Sequence, residues 1–338
     1  MLSNYFLGNG AFALREGPIP VPGPGEVVVK NMACGVCGTD VHITKGEPGS
    51  AEVRPPVVLG HEYSGEVVSL GEGVTTLQVG DHVTVDPNIY CGECEYCRNG
   101  KKQLCPSMQA VGVTRDGGFA QYSLVPAAQA FLLDSAVSFE AGAMAEPLAC
   151  CLHGIDLAGI KPGQTVAVVG GGAIGLIMLQ LCRLSGASAL LLSEPDAARR
   201  AVAGQLGADI TLDPLDKTAY AAQEGFADVV IECVGNTPAV SSAFHLAKKG
   251  ATVVLFSVPK PEAEFPLKLF DVYKKELTIK GSFVNPDTHA RAVSLINAGK
   301  VDFTPLITHR FSLAQLPEAI QMQSAAASIK VLVLPQAE

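Results

Sequence analysis

A chain of 338 residues with 48% hydrophobic and 17% charged residues is long enough for two domains and too apolar for a disordered protein. Its formal net charge of −9 argues against nucleic acid or a membrane surface as a partner. The amino-terminal segment lacks the features of a secretory signal, so we expect a cytoplasmic protein. Its ten cysteines would stay reduced there, and they indicate metal binding rather than disulfides.

The predicted elements change in character along the chain. The first 150 residues are rich in glycine and proline and contain short β-type runs, which is typical of a compact β domain. These runs include Glu26–Lys30, Gly65–Ser69 and His82–Val85. From Thr165 onward, strands alternate with helical stretches and predict a parallel sheet. Its predicted strands are Val166–Val169, Leu190–Ser193, Asp228–Glu232, Thr252–Phe256 and Leu277–Lys280.

The segment after Gly281 is too short for a third domain, and we expect it to return to the first one. It contains a helical stretch at Asp287–Ala298 and a closing strand at Lys330–Leu334. One domain is therefore expected to comprise residues 1–150 and 286–338, and the other residues 151–285.

A glycine-rich pattern directly follows the strand Val166–Val169 and reads Gly170-Gly171-Gly172-Ala173-Ile174-Gly175. In this context, the G-x-G-x-x-G pattern predicts a dinucleotide site. Gly170 permits a tight turn, Gly172 lets a pyrophosphate approach the backbone, and Gly175 lets helix and strand pack closely. The phosphates then meet the free N–H groups at the start of the helix. The same glycines make a membrane span at this uncharged stretch implausible.

An acidic residue, Glu194, ends the next predicted strand, about 20 residues beyond the glycines. Its carboxylate can accept hydrogen bonds from the adenosine ribose hydroxyls and repels a 2′-phosphate, which favours NAD over NADP. Arg199 and Arg200 nearby favour the opposite preference. An exposed charge at a strand end is the alternative interpretation of Glu194.

Four cysteines lie close together in the sequence with the spacing C-x2-C-x2-C-x7-C, and they are Cys91, Cys94, Cys97 and Cys105. Four thiolates in one loop fit the closed tetrahedral site of a structural zinc ion. A [4Fe–4S] cluster is the alternative, because the first spacings match ferredoxins and a proline follows the last cysteine. The final spacer is longer than the ferredoxin one.

A second set of candidate ligands is scattered along the chain. Cys37 lies in G-V-C-G-T-D, His61 in G-H-E and Glu146 in A-E-P-L. Each of these residues alone is more often part of the core or of a solvated surface. Together they offer sulfur, nitrogen and oxygen ligands and leave a position open, as a catalytic zinc ion requires.

In their order along the whole chain, these motifs resemble the zinc-dependent medium-chain alcohol dehydrogenases, and within that family the polyol branch with the sorbitol and threonine dehydrogenases. The resemblance implies an α/β protein with a GroES-like β-barrel catalytic domain, a Rossmann domain with a doubly wound parallel sheet, and an active site in the cleft between them. It implies two zinc ions per subunit and NAD. It also implies a homo-oligomer, either a tetramer or a dimer, formed by sheet extension near Leu277–Lys280.

The resemblance further implies roles for individual residues. Cys37 and His61 would bind the catalytic zinc ion. Glu146 stands where simple alcohol dehydrogenases have a second cysteine, and Glu62 is an alternative carboxylate ligand. Similar dehydrogenases use a Thr and His pair as a proton relay through the cofactor ribose.

That pair is Thr39 and His42 in this chain. An imidazole suits the task because it titrates near neutral pH. An ordinary surface histidine is the alternative.

The expected reaction is hydride transfer between NAD and a secondary alcohol of a polyol or sugar-like substrate. Carboxylates near the metal favour a polyol, because they can accept hydrogen bonds from neighbouring hydroxyls. Against sorbitol itself, Val284 and Asn285 stand where sorbitol dehydrogenase has an Arg and a Tyr that touch the substrate.

Four alternatives to a polyol dehydrogenase stay open. The first is a dehydrogenase of the threonine or 2,3-butanediol type. The second is a zinc-free reductase, which would leave the cysteines without a purpose. The third is a zinc-ribbon protein that binds nucleic acid, which the acidic charge argues against. The fourth is a noncatalytic NAD-binding sensor or structural protein.

Overall fold

A computed structural model of the chain describes residues 1–47 and 51–337. The chain forms two compact units. The first unit combines Met1–Ala149 with Val284–Glu338, and the second, Cys150–Phe283, is continuous. Among the described residues, no helix combines the length and the apolar character that a membrane crossing requires.

Short strands dominate the amino-terminal part of the chain. They are β1 Leu2–Gly8, β2 Ala11–Glu16, β3 Glu26–Val36, β4 Val57–Val58, β5 Glu62–Leu70, β6 His82–Val85, β7 Asn88–Ile89, β8 Gln109–Ala110, β9 Tyr122–Pro126 and β10 Ala130–Leu132. The α-helices of this part are α1 Gly38–Thr44, α2 Glu95–Arg98, α3 Phe139–Ala143 and α4 Ala145–Ala158.

Strands and helices then alternate. The strands are β11 Thr165–Val169, β12 Ala189–Ser193, β13 Ile210–Leu212, β14 Ala227–Glu232, β15 Ala247–Leu255 and β16 Thr278–Gly281. The helices are α5 Ala173–Leu184, α6 Ala197–Gln205, α7 Lys217–Ala221, α8 Thr237–Leu246 and α9 Leu269–Lys275. The closing segment contributes α10 His289–Asn297, β17 Ile307–Ser312, α11 Leu316–Gln323 and β18 Lys330–Leu334.

The main sheet of the first unit has the order β10-β6-β5-β3-β18-β17, and β9 also pairs with β3. β3 lies at its centre because it is rich in valine and buried on both faces, with Val27, Val28 and Val29 fully inaccessible. Compared with the predicted strands, β3 continues to Val36 and β5 begins at Glu62. These extra residues bring the ends of two neighbouring strands to the candidate metal ligands.

The second unit contains a six-stranded sheet of order β13-β12-β11-β14-β15-β16 in which all pairs are parallel. This confirms the parallel sheet predicted from the alternation of strands and helices. The order is that of a dinucleotide-binding doubly wound sheet, in which ligands bind at the carboxyl ends of the strands beside the point where the strand order reverses. That point lies between β11 and β14.

Candidate functional site

The four cysteines predicted to bind a structural zinc ion come together in the first unit, and we call them the lobe cysteines. Their sulfur atoms all lie within 4.8 Å of one another, and the Sγ atoms of Cys91 and Cys97 are 3.9 Å apart. The local backbone explains the approach, since Cys94 caps α2 and its Sγ accepts a hydrogen bond from the backbone N–H of Cys97. The N–H of Glu93 is the largest of the influences that lower the pKa of Cys91 to about 7.

This arrangement fits a zinc ion. Four sulfurs at the usual zinc–sulfur bond length of about 2.3 Å stand about 3.8 Å apart in a tetrahedron. A [4Fe–4S] cluster places its cysteines on four different iron atoms, so its sulfurs must stand further apart than the ligands of a single ion. The close packing therefore favours one metal ion over the cluster.

A second cluster joins Cys37, His61 and Glu62, which offer one sulfur, one nitrogen and one oxygen within 4.8 Å of one another. Cys37 follows β3 and precedes α1, while His61 immediately precedes β5. Because β3 and β5 are paired neighbours, Cys37 meets His61 and Glu62 where the end of β3 lies beside the start of β5. Mixed sulfur, nitrogen and oxygen ligands of this kind suit zinc.

A buried carboxylate, Asp40, stands behind His61. Its Oδ2 accepts a hydrogen bond from the N–H of Cys37 at 2.9 Å, and its Oδ1 lies 3.7 Å from Nδ1 of His61. Burial raises the pKa of Asp40, and the charge of His61 opposes this shift. The distance of 3.7 Å is too long for a hydrogen bond, so Asp40 acts on His61 through its charge.

Glu62 has a second partner, Lys330, at the start of β18. The two side chains form an ion pair and are only 2% and 4% exposed. Lys330 also donates a hydrogen bond to the carbonyl oxygen of Val36 at 3.1 Å. Gly35 makes room for this pair, since a Cβ there would collide with the Glu62 carboxylate.

The charge of Lys330 survives its burial. Burial alone lowers the pKa of this ammonium group, but the neighbouring charges of Glu62 and Cys37 outweigh it, so the pKa is raised. Lys330 therefore offsets part of the negative charge gathered at the second cluster.

Glu146 lies outside the three-residue cluster but close to it. It is buried at the start of α4, and its charge acts on both His61 and Lys330. The structure thus brings Glu62 to the sulfur and nitrogen ligands and keeps Glu146 as a second carboxylate beside them.

Thr39 and His42 both lie on α1, which begins next to Cys37. Nδ1 of His42 is hydrogen-bonded to the carboxylate of Glu47. This contact orients the ring and assigns the proton-accepting role to the other ring nitrogen, Nε2.

The predicted dinucleotide turn lies at the carboxyl end of β11. Gly170 adopts a positive φ of 107°, and a Cβ on Gly175 would collide with the Gly170 carbonyl oxygen. Gly172 caps α5 without any side-chain hydrogen bond, and a Cβ there would meet no atom within 4 Å. Ala173 and Ile174 open the helix. The turn therefore offers an open cradle and unpaired helical N–H groups, which fits a pyrophosphate.

Glu194 closes the other side of this turn. It is buried after β12, and its carboxylate accepts hydrogen bonds from the N–H groups of Gly171 at 2.7 Å and Asp196 at 2.9 Å. Arg200 is engaged elsewhere, because it donates to the carbonyl oxygen of Glu194 and pairs with Asp213. Arg199 lies near the start of α6.

Asn285 is fully buried and engaged inside the first unit. Its Nδ2 donates to Oδ1 of Asp86 at 3.2 Å, and its Oδ1 accepts from the side chain of Asn88 at 2.5 Å. Burial is the main reason why the pKa of Asp86 is raised to about 6. These two hydrogen bonds use both polar atoms of the Asn285 side chain.

Two residues of the site, Asp40 and Lys330, received no role from the sequence alone. Asp40 is part of the G-V-C-G-T-D motif, and its position three residues after a candidate ligand is a usable signal. Lys330 is the single charged residue of an apolar strand, and its partner lies 268 positions away. No local pattern reveals such a pairing.

Comparisons with known proteins show which family the chain resembles. Residues 23–135 match the family model of the alcohol dehydrogenase GroES-like domain, and residues 173–298 match that of the zinc-binding dehydrogenases. Sorbitol dehydrogenase of Halalkalibacterium halodurans is 36% identical, with 97% of both chains covered. L-threonine 3-dehydrogenase of Symbiobacterium thermophilum is 34% identical and covers 97% of this chain and 95% of its own.

A crystal structure of a zinc-binding dehydrogenase from Sinorhizobium meliloti 1021 bound to NADP is also similar. It superposes with a TM-score of 0.95 at 42% identity, and 99% of each chain is covered.

Proposed function

Because the chain belongs to the zinc-dependent medium-chain alcohol dehydrogenase family, we propose that it transfers a hydride between NAD and a secondary alcohol of a polyol or sugar-like substrate. The observation that carries this proposal is the cluster of Cys37, His61 and Glu62, with Glu146 as a further carboxylate beside it. The product of this alcohol oxidation is a ketone.

The residues of the second cluster receive distinct tasks. Cys37, His61 and one carboxylate, Glu62 or Glu146, hold the catalytic zinc ion, and the other carboxylate accepts hydrogen bonds from substrate hydroxyls. A zinc ion held there would make the alcohol hydroxyl more acidic, and loss of the hydroxyl proton would favour hydride transfer from the adjoining carbon to NAD. The four lobe cysteines hold a second, structural zinc ion.

The proton released from the alcohol needs acceptors, and we assign this role to Thr39 and His42. His42 accepts the proton at Nε2, because Glu47 holds its Nδ1. Asp40 supports His61 through its charge, since its Oδ1 lies 3.7 Å from Nδ1 of His61.

The cofactor assignment rests on the glycine turn and Glu194. Gly170, Gly172, Ala173, Ile174 and Gly175 form the pyrophosphate site. Glu194 and Arg199 flank the adenosine ribose, and the buried carboxylate of Glu194 favours a 2′-hydroxyl over a 2′-phosphate. The NADP-bound relative from S. meliloti makes a direct comparison of both cofactors necessary.

The decisive experiment for the substrate is an assay with NAD and a panel of alcohols. The panel contains sugar alcohols of four to six carbons, threonine, 2,3-butanediol and simple primary and secondary alcohols, with the Cys37→Ser protein as a control. We expect the highest kcat/KM for a polyol. A preference for threonine would favour the activity named for the S. thermophilum relative. Best turnover of primary alcohols, with polyols inert, would refute the polyol assignment, and no turnover at all would favour a noncatalytic protein.

We also propose that the protein is a homo-oligomer, a tetramer in the first place and a dimer in the second. β16 is one of the two edge strands of the parallel sheet, and such an edge can extend across two subunits. The preceding helix α9 exposes Leu269, Phe270 and Tyr273 at 77%, 66% and 79%. Light scattering that finds a monomer at working concentration would contradict this proposal.

The cytoplasm is the proposed location. The ten cysteines are not joined in disulfides, which fits a reducing compartment. Cell fractionation tests this assignment.

A further inference from the structure

A buried carboxylate of the second unit has no role in the site so far. Glu232, the last residue of β14, is 1% exposed. Its Oε1 accepts hydrogen bonds from the N–H groups of Val234 at 2.7 Å and Gly235 at 2.9 Å. Its Oε2 accepts a hydrogen bond from Oγ of Ser257 at 2.5 Å. One side chain therefore links the segment after β14 to the segment after β15.

The segment that Glu232 holds lies against the glycine turn. The N–H of Cys233 donates to the carbonyl oxygen of Val169 at 2.9 Å. A Cβ on Gly170 would lie 2.7 Å from Cγ2 of Val234. Because of these two contacts, a shift of residues 233–235 would change the shape of the turn that receives the pyrophosphate.

The position of β14 in the sheet indicates which part of the cofactor is nearby. A doubly wound sheet consists of two mononucleotide-binding halves. Glu194, after β12, belongs to the adenosine half. β14 begins the other half, so residues 233–235 flank the path toward the nicotinamide end. Val234 is 46% exposed and offers an apolar contact there.

We propose that Glu232 is a positioning residue for the cofactor. It fixes residues 233–235 against the glycine turn and thereby shapes the binding site of the nicotinamide half of the dinucleotide. The proposal rests on the assignment of the dinucleotide to Gly170–Gly175. Glu232 acts through hydrogen bonds and not through its charge, because its three partners are two peptide N–H groups and a hydroxyl.

Two substitutions of Glu232 distinguish an effect of its hydrogen bonds from an effect of its charge. Glu232→Gln retains one oxygen for the two N–H groups, and its amide can donate to the hydroxyl oxygen of Ser257. Glu232→Leu preserves the size but leaves both N–H groups and the hydroxyl without an acceptor. We expect Glu232→Leu to weaken NADH binding and raise the KM for NAD by about tenfold or more, with kcat at saturating NAD largely kept. Glu232→Gln should stay close to the wild type, and Ser257→Ala should weaken binding less than Glu232→Leu.

A matched control lies at the opposite end of the same strand. Asp228 accepts hydrogen bonds from the N–H and Oγ1 of Thr165 at 2.8 Å and pairs with Lys248 at 3.1 Å. It is a partly exposed acceptor at the amino end of β14, away from the carboxyl ends where the ligand binds. We expect Asp228→Leu to lower the thermal unfolding temperature but to leave the dissociation constant of NADH unchanged.

The experiment is a fluorescence titration of each variant with NADH, with circular dichroism as the check of folding. It requires no substrate, so an error in the proposed alcohol leaves it intact, whereas a wild type that binds neither NADH nor NADPH would refute the cofactor site itself. Wild-type affinity in Glu232→Leu would overturn the positioning role. Equal losses in Glu232→Gln and Glu232→Leu would assign the effect to charge and would also overturn it.

Two further results decide the remaining cases. If Asp228→Leu weakened NADH binding as much as Glu232→Leu, a general loosening of the sheet would explain both and the proposal would fail. If Glu232→Leu did not fold, Ser257→Ala would decide, because unchanged NADH affinity in that variant would remove the link between the two segments.

Discussion

The buried pair of Lys330 and Glu62 allows a quantitative test of the second cluster. Lys330→Met keeps the length of the side chain but removes its charge, so the carboxylate of Glu62 stays buried without its ammonium partner. The two side chains are 4% and 2% exposed, which leaves almost no water to replace the lost contact. Removing one member of such a pair costs about 3–5 kcal/mol. We expect this decrease in the free energy of unfolding of the zinc-depleted protein.

The assay is urea unfolding followed by far-ultraviolet circular dichroism on the wild type, Lys330→Met, Glu62→Gln and the double variant. The double variant should lose less stability than Lys330→Met alone, because no buried charge is left uncompensated. Lys248→Met is the control, since Lys248 pairs with Asp228 at a surface where both side chains are about a third exposed. That variant should lose less than about 1 kcal/mol. Additive losses in the double variant would refute the reasoning.

Four further predictions concern the metals, the cofactor, the relay and the pH dependence. Cys94→Ser should lose one zinc ion and much of the folding stability, whereas Cys37→Ser should lose activity with its fold retained. Elemental analysis with fewer than about two zinc ions per wild-type chain would contradict both assignments. Glu194→Ala should lower kcat/KM with NAD by about tenfold to a hundredfold, and a wild-type preference for NADP would oppose the role of Glu194. His42→Ala should slow alcohol oxidation about a hundredfold and alter its pH profile, and an unchanged rate and profile would remove His42 from the relay. The raised pKa of Asp86, about 6, gives a stability contribution that is present below pH 4 and lost as the pH rises through 6. Relative to Asp86→Asn, the wild type should therefore lose up to about 3 kcal/mol in urea unfolding between pH 4 and pH 7, and a constant difference would contradict this.

Local sequence patterns were sufficient to predict the parallel sheet and the glycine turn. The turn is predictable because Gly170, Gly172 and Gly175 each meet a backbone requirement within six residues of sequence. The lobe cysteines are predictable for the same reason, since all four lie within one loop. A strand such as β13 has only three residues, which is too short for any periodicity to appear, and it was not predicted.

The geometry of the second cluster could not be predicted from local sequence patterns. Cys37 and His61 come together only because β3 and β5 pair, and the sequence contains no measure of that register. The different positions of Glu62 and Glu146 could not be predicted either, because they depend on where the fold places the start of α4 relative to His61. The ion pair of Lys330 is the hardest contact to predict from the sequence, because it joins two strands that lie far apart in the described chain. The ligand roles of these residues stay predictions.

The discontinuous first unit has a consequence for the order of events during synthesis. β18 inserts between β3 and β17, and it carries the ammonium group that neutralises Glu62. The ribosome releases β18 only after every residue of the continuous second unit. Domains generally fold as they emerge, so the dinucleotide-binding unit can complete its sheet while the metal-binding sheet still lacks an inner strand. During that interval the carboxylate of Glu62 lacks its ammonium partner, and the end of β3 at Cys34–Val36 lacks the neighbouring strand that a later segment of the chain must supply.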